Sequence, residues 1–128
     1  MSSAQILVVE DNERNMKLVR DVLQAAGYRT LEATTGRQAI ELAGEHKPGL
    51  ALMDIQLPDM DGVETLGRLR ADERTASIPV LALTAQAMEG DRERFLSAGF
   101  DGYLSKPVDI ADLVATVRLY CDARADEH

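Results

Sequence analysis

The sequence predicts an α/β fold built on a parallel sheet, and three observations carry that prediction. Strand-length aliphatic runs alternate with helix-length amphipathic segments, and five such pairs can be counted. The runs are apolar with little alternation, as in strands covered on both faces. Three of them end in an acid or a hydroxyl: Ile6-Leu7-Val8-Val9 in Glu10-Asp11, Gly49-Leu50-Ala51-Leu52-Met53 in Asp54, and Pro79-Val80-Leu81-Ala82-Leu83 in Thr84. Open α/β sheets take their ligands beyond the carboxyl ends of the strands, so a site is expected where these groups converge.

The elements follow in order. After the first strand, Met16, Val19, Leu23 and Ala26 recur at helical spacing, and Gly27 ends the helix as a C-cap glycine does. The second strand is the short Arg29-Thr30-Leu31-Glu32-Ala33. Thr35 caps a helix carrying Ala39, Ile40 and Ala43, which Gly44 and Pro48 are expected to terminate. The third strand ends at Asp54, and a third helix is expected over 63–71. The fourth strand is Val80 to Thr84, followed by a helix over 88–98 that Gly90 weakens at its start and Gly99 closes. Gly102-Tyr103-Leu104-Ser105 forms a short fifth strand leading into Lys106-Pro107. Ile110, Leu113, Val114 and Val117 mark the last helix, and the segment 122–128 reads as a polar tail that frays.

The 128 residues suit one domain, enough to bury roughly 65–70% of the surface the unfolded chain exposes. Twenty-two acidic residues against 14 basic ones give a net charge of -8, which disfavours nucleic acid and anionic membrane as partners. The single cysteine, Cys121, forms no internal bridge and suits a reducing compartment, with packing as its expected role. No leader-like segment or membrane-length apolar run occurs, so a cytoplasmic location is expected.

The chemistry is carried by a constellation. Glu10-Asp11 stands in the first βα loop, where a phosphate-binding protein would place glycines, and carboxylates there repel phosphate unless a divalent cation intervenes. Adjacent acids also simply favour a helix N-terminus, but Asp54 at the end of a buried strand shifts the balance. A shared metal would compensate Asp54 and hold a phosphoryl donor in line with its carboxylate, making Asp54 a nucleophile that forms an acyl phosphate. Lys106 would balance the acids and contact a transferred phosphoryl oxygen, and Thr84 would donate to another. Taken singly, Lys106 reads as a solvated lysine and Thr84 as a strand former.

These blocks, Ile6-Leu7-Val8-Val9-Glu10-Asp11-Asn12, Leu52-Met53-Asp54-Ile55-Gln56-Leu57-Pro58 with Gly62, Leu83-Thr84-Ala85 and Lys106-Pro107, resemble the signature blocks of response-regulator receiver domains. Through Glu13-Arg14-Asn15-Met16-Lys17-Leu18 and Ala85-Gln86-Ala87-Met88 the chain is most similar to single-domain cell-division regulators of the DivK type. The resemblance implies a flavodoxin-like, doubly wound (βα)5 domain over 1–121 with strand order 2-1-3-4-5. It implies that Glu10, Asp11, Asp54 and the backbone carbonyl of Gln56 hold Mg²⁺. The family's first acid is usually aspartate, so Glu10 would reach the metal directly or through water. It further implies that Asp54 is phosphorylated, that Thr84 and Lys106 bind the phosphoryl group, and that Tyr103 occupies the switch position, where core packing is its other reading. A cis Lys106–Pro107 bond is implied too, against a base rate of about 5% for X–Pro bonds.

Three rivals are weighed against this reading. An aspartyl-nucleophile phosphatase of the haloacid-dehalogenase type needs a second aspartate where Gln56 stands. A flavin- or nucleotide-binding domain would have a glycine-rich turn after the first strand. A scaffold that has lost phosphorylation should lack one of the five key residues, and all five are present. His46 and His128 lie in polar surroundings unsuited to phosphohistidine or metal chemistry. The stretch beyond Pro107 suffices for a helix and a tail, so the expected output is a surface of helix four, strand five and helix five that reports to a protein target. Phosphate would come from a histidine kinase or histidine phosphotransfer protein, docking near helix one and the loop after strand five, with Met16, Val19 and Pro107 as candidate apolar contacts. Gln56 and Gln86 stand where side chains overhang the phosphoryl group and would slow its hydrolysis.

Overall fold

The structure, a computed structural model, describes residues 4–85 and 91–125. Five strands, β1 (Gln5–Val9), β2 (Arg29–Ala33), β3 (Leu50–Asp54), β4 (Val80–Thr84) and β5 (Gly102–Ser105), alternate with α1 (Glu13–Ala25), α2 (Gly36–His46), α3 (Gly62–Ala71), α4 (Asp91–Ala98) and α5 (Ile110–Ala125). All strand pairs are parallel and lie in the order β2-β1-β3-β4-β5, the doubly wound topology that the resemblance implies.

The period of two along each strand divides its side chains between two layers. Ile6, Val8, Leu50, Leu52, Leu81 and Leu83 join Met16, Val19 and Leu23 of α1 and Leu113, Val117 and Cys121 of α5. Leu7, Val9, Ala51, Met53, Val80 and Ala82 face the other way, toward Ala39 and Ala43 of α2, Leu66 and Leu69 of α3, and Phe95 of α4. Because both faces are covered, every residue of β3 and β4 is buried, which explains the uninterrupted apolar runs. Cys121 takes the packing role expected of it.

The helix ends follow local chemistry. Asn12 caps α1 by accepting from the Arg14 and Asn15 amides, and Thr35 caps α2 by accepting from Gln38 N. Asp61 caps α3 and Asp109 accepts from Asp112 N at the start of α5. Past α1, Gly27 at φ 97° lets Tyr28 N reach Leu23 O, and Gly99 at φ 112° does the same for Phe100 N and Phe95 O.

Three expectations change. Gly44 does not terminate its helix: α2 runs on to His46 and ends at Lys47, which adopts the left-handed conformation at φ 48°. Gly44 instead leaves room for Arg74, whose guanidinium a β-carbon there would meet at 3.1–3.2 Å. Helix α5 continues through Ala125, into the segment read as a polar tail. Met16 and Val19 are buried beneath α1, so they belong to the core and offer nothing to a docking partner. The start of the fourth helix, Met88 and Gly90 included, and Gln86 lie outside the described residues.

The packing gives a direct expectation. Leu52 is fully buried between β1 and β4 and faces α1 and α5, so Leu52→Ala should cost about 2–5 kcal/mol, whereas Leu18→Ala on the exposed side of α1 should stay within about 0.5 kcal/mol. Urea denaturation of the two variants checks both values.

Candidate functional site

Strand register sets the site. Val9 pairs with Met53 and Asp54 with Leu83, so Glu10, which follows Val9 and extends the ladder through Glu10 N to Ala33 O, comes level with Asp54. Thr84 pairs with Ser105, and Lys106 comes next, its amide donating to Thr84 O at 2.8 Å. Together these residues line an open cleft of about 420 Å³ above the carboxyl ends of β1, β3, β4 and β5, with Asp11, Asn15 and Gln56 on its rim.

Lys106 is the hub. Its Nζ lies 2.7 Å from Glu10 Oε2 and 2.9 Å from Asp54 Oδ2. Asp54 Oδ1 accepts the Gln56 amide at 3.0 Å and Glu10 Oε1 accepts the Asn12 amide at 3.2 Å, so backbone donors answer the outer oxygens. Glu10 is 1% exposed and Asp54 6%. Burial raises the Glu10 pKa above its ordinary value, and the neighbouring Asp54 adds to the rise against the lowering effect of Lys106. Burial alone would lower the Lys106 pKa, but Glu10 and Asp54 outweigh it and hold the ammonium above its ordinary value.

The arrangement is over-charged. Three carboxylates face one ammonium, and the Glu10, Asp11 and Asp54 oxygens lie within 4.8 Å of one another. Glu10 Oε2 is wholly buried with no hydrogen bond of good geometry, held only by the nearby ammonium charge. Hard oxygen donors with uncompensated charge fit a divalent metal, and this donor set could hold one.

The loop after β3 completes the rim. Gly62 N donates to Ile55 O at 2.7 Å, and a β-carbon at Gly62 would stand 2.7 Å from Asp54 O, so only glycine lets the chain return against the strand that carries Asp54. The Lys106–Pro107 peptide is cis, as the resemblance implies. Tyr103 lies away from the acids, half-buried against the layer of Phe95, with ring centroids 6.1 Å apart. The structure thus brings Glu10, Asp11, Asp54, Gln56, Thr84 and Lys106 together and leaves Tyr103 at a distance. The sequence reading gave no role to Asn15, although its place one turn beyond the Asn12 cap marks the side of α1 that faces the cleft.

The sign of the Glu10 shift yields a pH dependence. A carboxyl whose folded pKa is raised binds its proton more tightly in the native state, so metal-free stability should fall as pH rises from about 4.5 through the folded value. The depressed carboxyls of Asp21, Asp59 and Asp72 act only below their ordinary 3.8 and leave that window clear. Glu10→Gln should flatten the slope in this window, read as melting temperature against pH in chelator-treated protein.

Comparison with known proteins places the chain. The family model for the response regulator receiver domain matches residues 6–118. The polar-differentiation response regulator DivK of Brucella ovis is 47% identical over 115 residues, spanning 90% of this chain and 94% of that protein. Among solved structures, the receiver domain of sensor histidine kinase PA1611 from Pseudomonas aeruginosa, with magnesium in its active-site cleft, matches at a TM-score of 0.85 and 37% identity over 93% of this chain and 98% of that one. The receiver domain of Saccharomyces cerevisiae Ssk1, solved with the histidine phosphotransfer protein Ypd1, matches at 0.89 and 26% identity over 97% and 92%. With its sheet order, its acid cluster and this match along most of its length, the chain belongs to the response regulator receiver domain family.

Proposed function

We propose that Asp54 is the phosphoacceptor, that Mg²⁺ is the metal held by Glu10, Asp11, Asp54 and the Gln56 carbonyl, and that phosphate arrives from a histidine kinase or a histidine phosphotransfer protein. The observation that carries this reading is the meeting of Asp54, two further acids and Lys106 in one open cleft. The magnesium in the PA1611 receiver and the Ssk1–Ypd1 complex support the choices of metal and donor.

An Asp54 carboxylate oxygen attacks the phosphorus of a phosphohistidine; the new P–O bond forms as the P–N bond breaks and the imidazole departs with the electron pair. Mg²⁺, when bound, offsets the carboxylate charge that would otherwise repel the incoming phosphoryl group. Lys106 already sits against Asp54 and turns a donor to a phosphoryl oxygen, and the buried Thr84 hydroxyl supplies a second. The backbone donors at Asn12 and Gln56 hold the acids in position. A small-molecule donor such as acetyl phosphate enters the same chemistry with acetate as the leaving group.

Gln56 is exposed and places no acid beside the acyl phosphate, which separates this site from an aspartyl phosphatase. With Met16 and Val19 buried, the apolar part of a kinase-docking face falls to Leu18 on α1 and to Pro107 and Ile110 after β5, all exposed. The changed surface of α4, β5 and α5 reports to a protein target, and Tyr103 on β5 is the switch aromatic.

Incubation with acetyl phosphate and Mg²⁺ should add one phosphate by intact mass, lost in Asp54→Asn and in chelator; labelling that persists in Asp54→Asn overturns the assignment. The Gln56 amide can orient a water but cannot serve as a general base, so the acyl phosphate hydrolyses slowly. Dephosphorylation of the purified phosphoprotein should therefore change rate in Gln56→Ala, and an unchanged rate removes Gln56 from the kinetics.

A further inference from the structure

The loop between β3 and α3 carries Gln56, and its tip is fastened to another helix. Asp59 Oδ1 accepts the Gly36 amide at 2.7 Å and its Oδ2 accepts the Arg37 amide at 3.0 Å, so one carboxylate takes two of the open donors at the start of α2. Thr35 serves the next amide, Gln38 N, at 3.1 Å, which leaves Asp59 a supplementary partner to a helix already capped in the usual way. The neighbouring Met60 is seated on the same spot: a β-carbon at Gly36 would lie 2.5 Å from Met60 Cγ and 2.5 Å from Thr65 Oγ1. The glycine therefore admits the loop tip.

The contact has a consequence at the cleft. The loop is closed by Gly62 N to Ile55 O and leads into the Asp61 cap of α3; Ile55 and Leu57 pack against the core, while Gln56, Pro58 and Asp59 are exposed. Two residues, the half-buried Leu57 and the exposed Pro58, lie between Gln56 and Asp59; the Gln56 amide is held by Asp54 Oδ1 at 3.0 Å, and the two charge-assisted bonds at Asp59 restrain the chain on the other side of the Gln56 carbonyl. We propose that Asp59 is a positioning residue for the metal site, holding the Gln56 carbonyl toward Glu10, Asp11 and Asp54 through its bidentate grip on the N-terminus of α2. The proposal rests on the Mg²⁺ reading given above.

Calorimetric titration with MgCl₂ tests it, alongside the melting temperature of each metal-free variant. Asp59→Ala should weaken Mg²⁺ binding roughly fivefold, less than the roughly tenfold or more that the loss of a ligand's direct hydrogen-bond partner costs, because Asp59 acts through the intervening backbone. Asp59→Asn keeps one acceptor, for Gly36 N, but loses the Arg37 bond and the charge, so its loss should be intermediate, about two- to threefold. Thr35→Ala removes the conventional α2 cap without touching the loop; it should lower the melting temperature by a few degrees and leave Mg²⁺ affinity unchanged. Unaltered affinity in Asp59→Ala overturns the proposal, as does an equal loss in Asp59→Asn, which would show a charge effect, or in Thr35→Ala, which would show a general softening of α2. A parent protein that binds no Mg²⁺, or binds it equally well as Asp11→Asn, overturns the metal reading itself and this inference with it.

Discussion

An imbalance of charge governs this molecule: Glu10, Asp11 and Asp54 gather at the ends of buried strands, and Lys106 is the ammonium that meets two of them. Two like charges about 4 Å apart repel by roughly 4 kcal/mol at the effective dielectric of a protein edge, a large share of the 5–15 kcal/mol that holds a domain folded. Lys106 and the amides of Asn12 and Gln56 offset only part of this repulsion, and the Glu10 pKa stays raised, by burial first and by Asp54 second. The same residual repulsion makes the cleft receptive to a cation. Stability and metal affinity are therefore opposed at Glu10, since a site relaxed without metal would have less to gain from one.

The scaffold tolerates this because, among the described residues, no buried side-chain polar atom other than Glu10 Oε2 lacks a hydrogen-bond partner. β3 is hydrogen-bonded on both edges and buried on both faces, so Asp54 is anchored to a central strand of the sheet. Alternation along β1, β3 and β4 feeds both layers at once, with small residues, Ala51 and Ala82, on the side of Phe95. Register then does the placement: a shift of one residue in β1 against β3 would exchange its two faces and carry Glu10 off the level of Asp54.

What was legible in the sequence was local. Apolar runs gave the strands, Thr35 with Gly27 and Gly99 gave helix ends, and acids at strand ends gave the site, because each of these signals is written in a few adjacent residues. What was missed depends on partners distant in the chain. Gly44 looks like a helix stop until Arg74 is seen to need its space, and the true end at Lys47 has no glycine to announce it. Met16 and Val19 carry the same pattern whether α1 shows that stripe to a partner or to β1, and only the packed sheet decides for the core. Asp59 sits in a turn-rich run two residues before Asp61, the cap of α3, and nothing in the sequence joins it to Gly36, 23 residues away.

The edges of the sheet explain where a change at Asp54 can be felt. β1 and β3 are held on both sides, and β2, the edge strand beside β1, touches the acid cluster only through Ala33 O. β5 is the other edge, with β4 as its single neighbour, and it runs directly into Lys106. Thr84 and Lys106 are joined by a backbone bond, so charge arriving at Asp54 acts on Thr84 at the end of β4 and, through Lys106, on the edge strand β5, the less restrained side of the sheet near the site. Tyr103 lies on that same strand with its ring against Phe95 of α4. A rearrangement of Lys106 and Thr84 thus has a short mechanical route to α4, whereas the same displacement directed at β1 or β3 would have to break ladders on both sides.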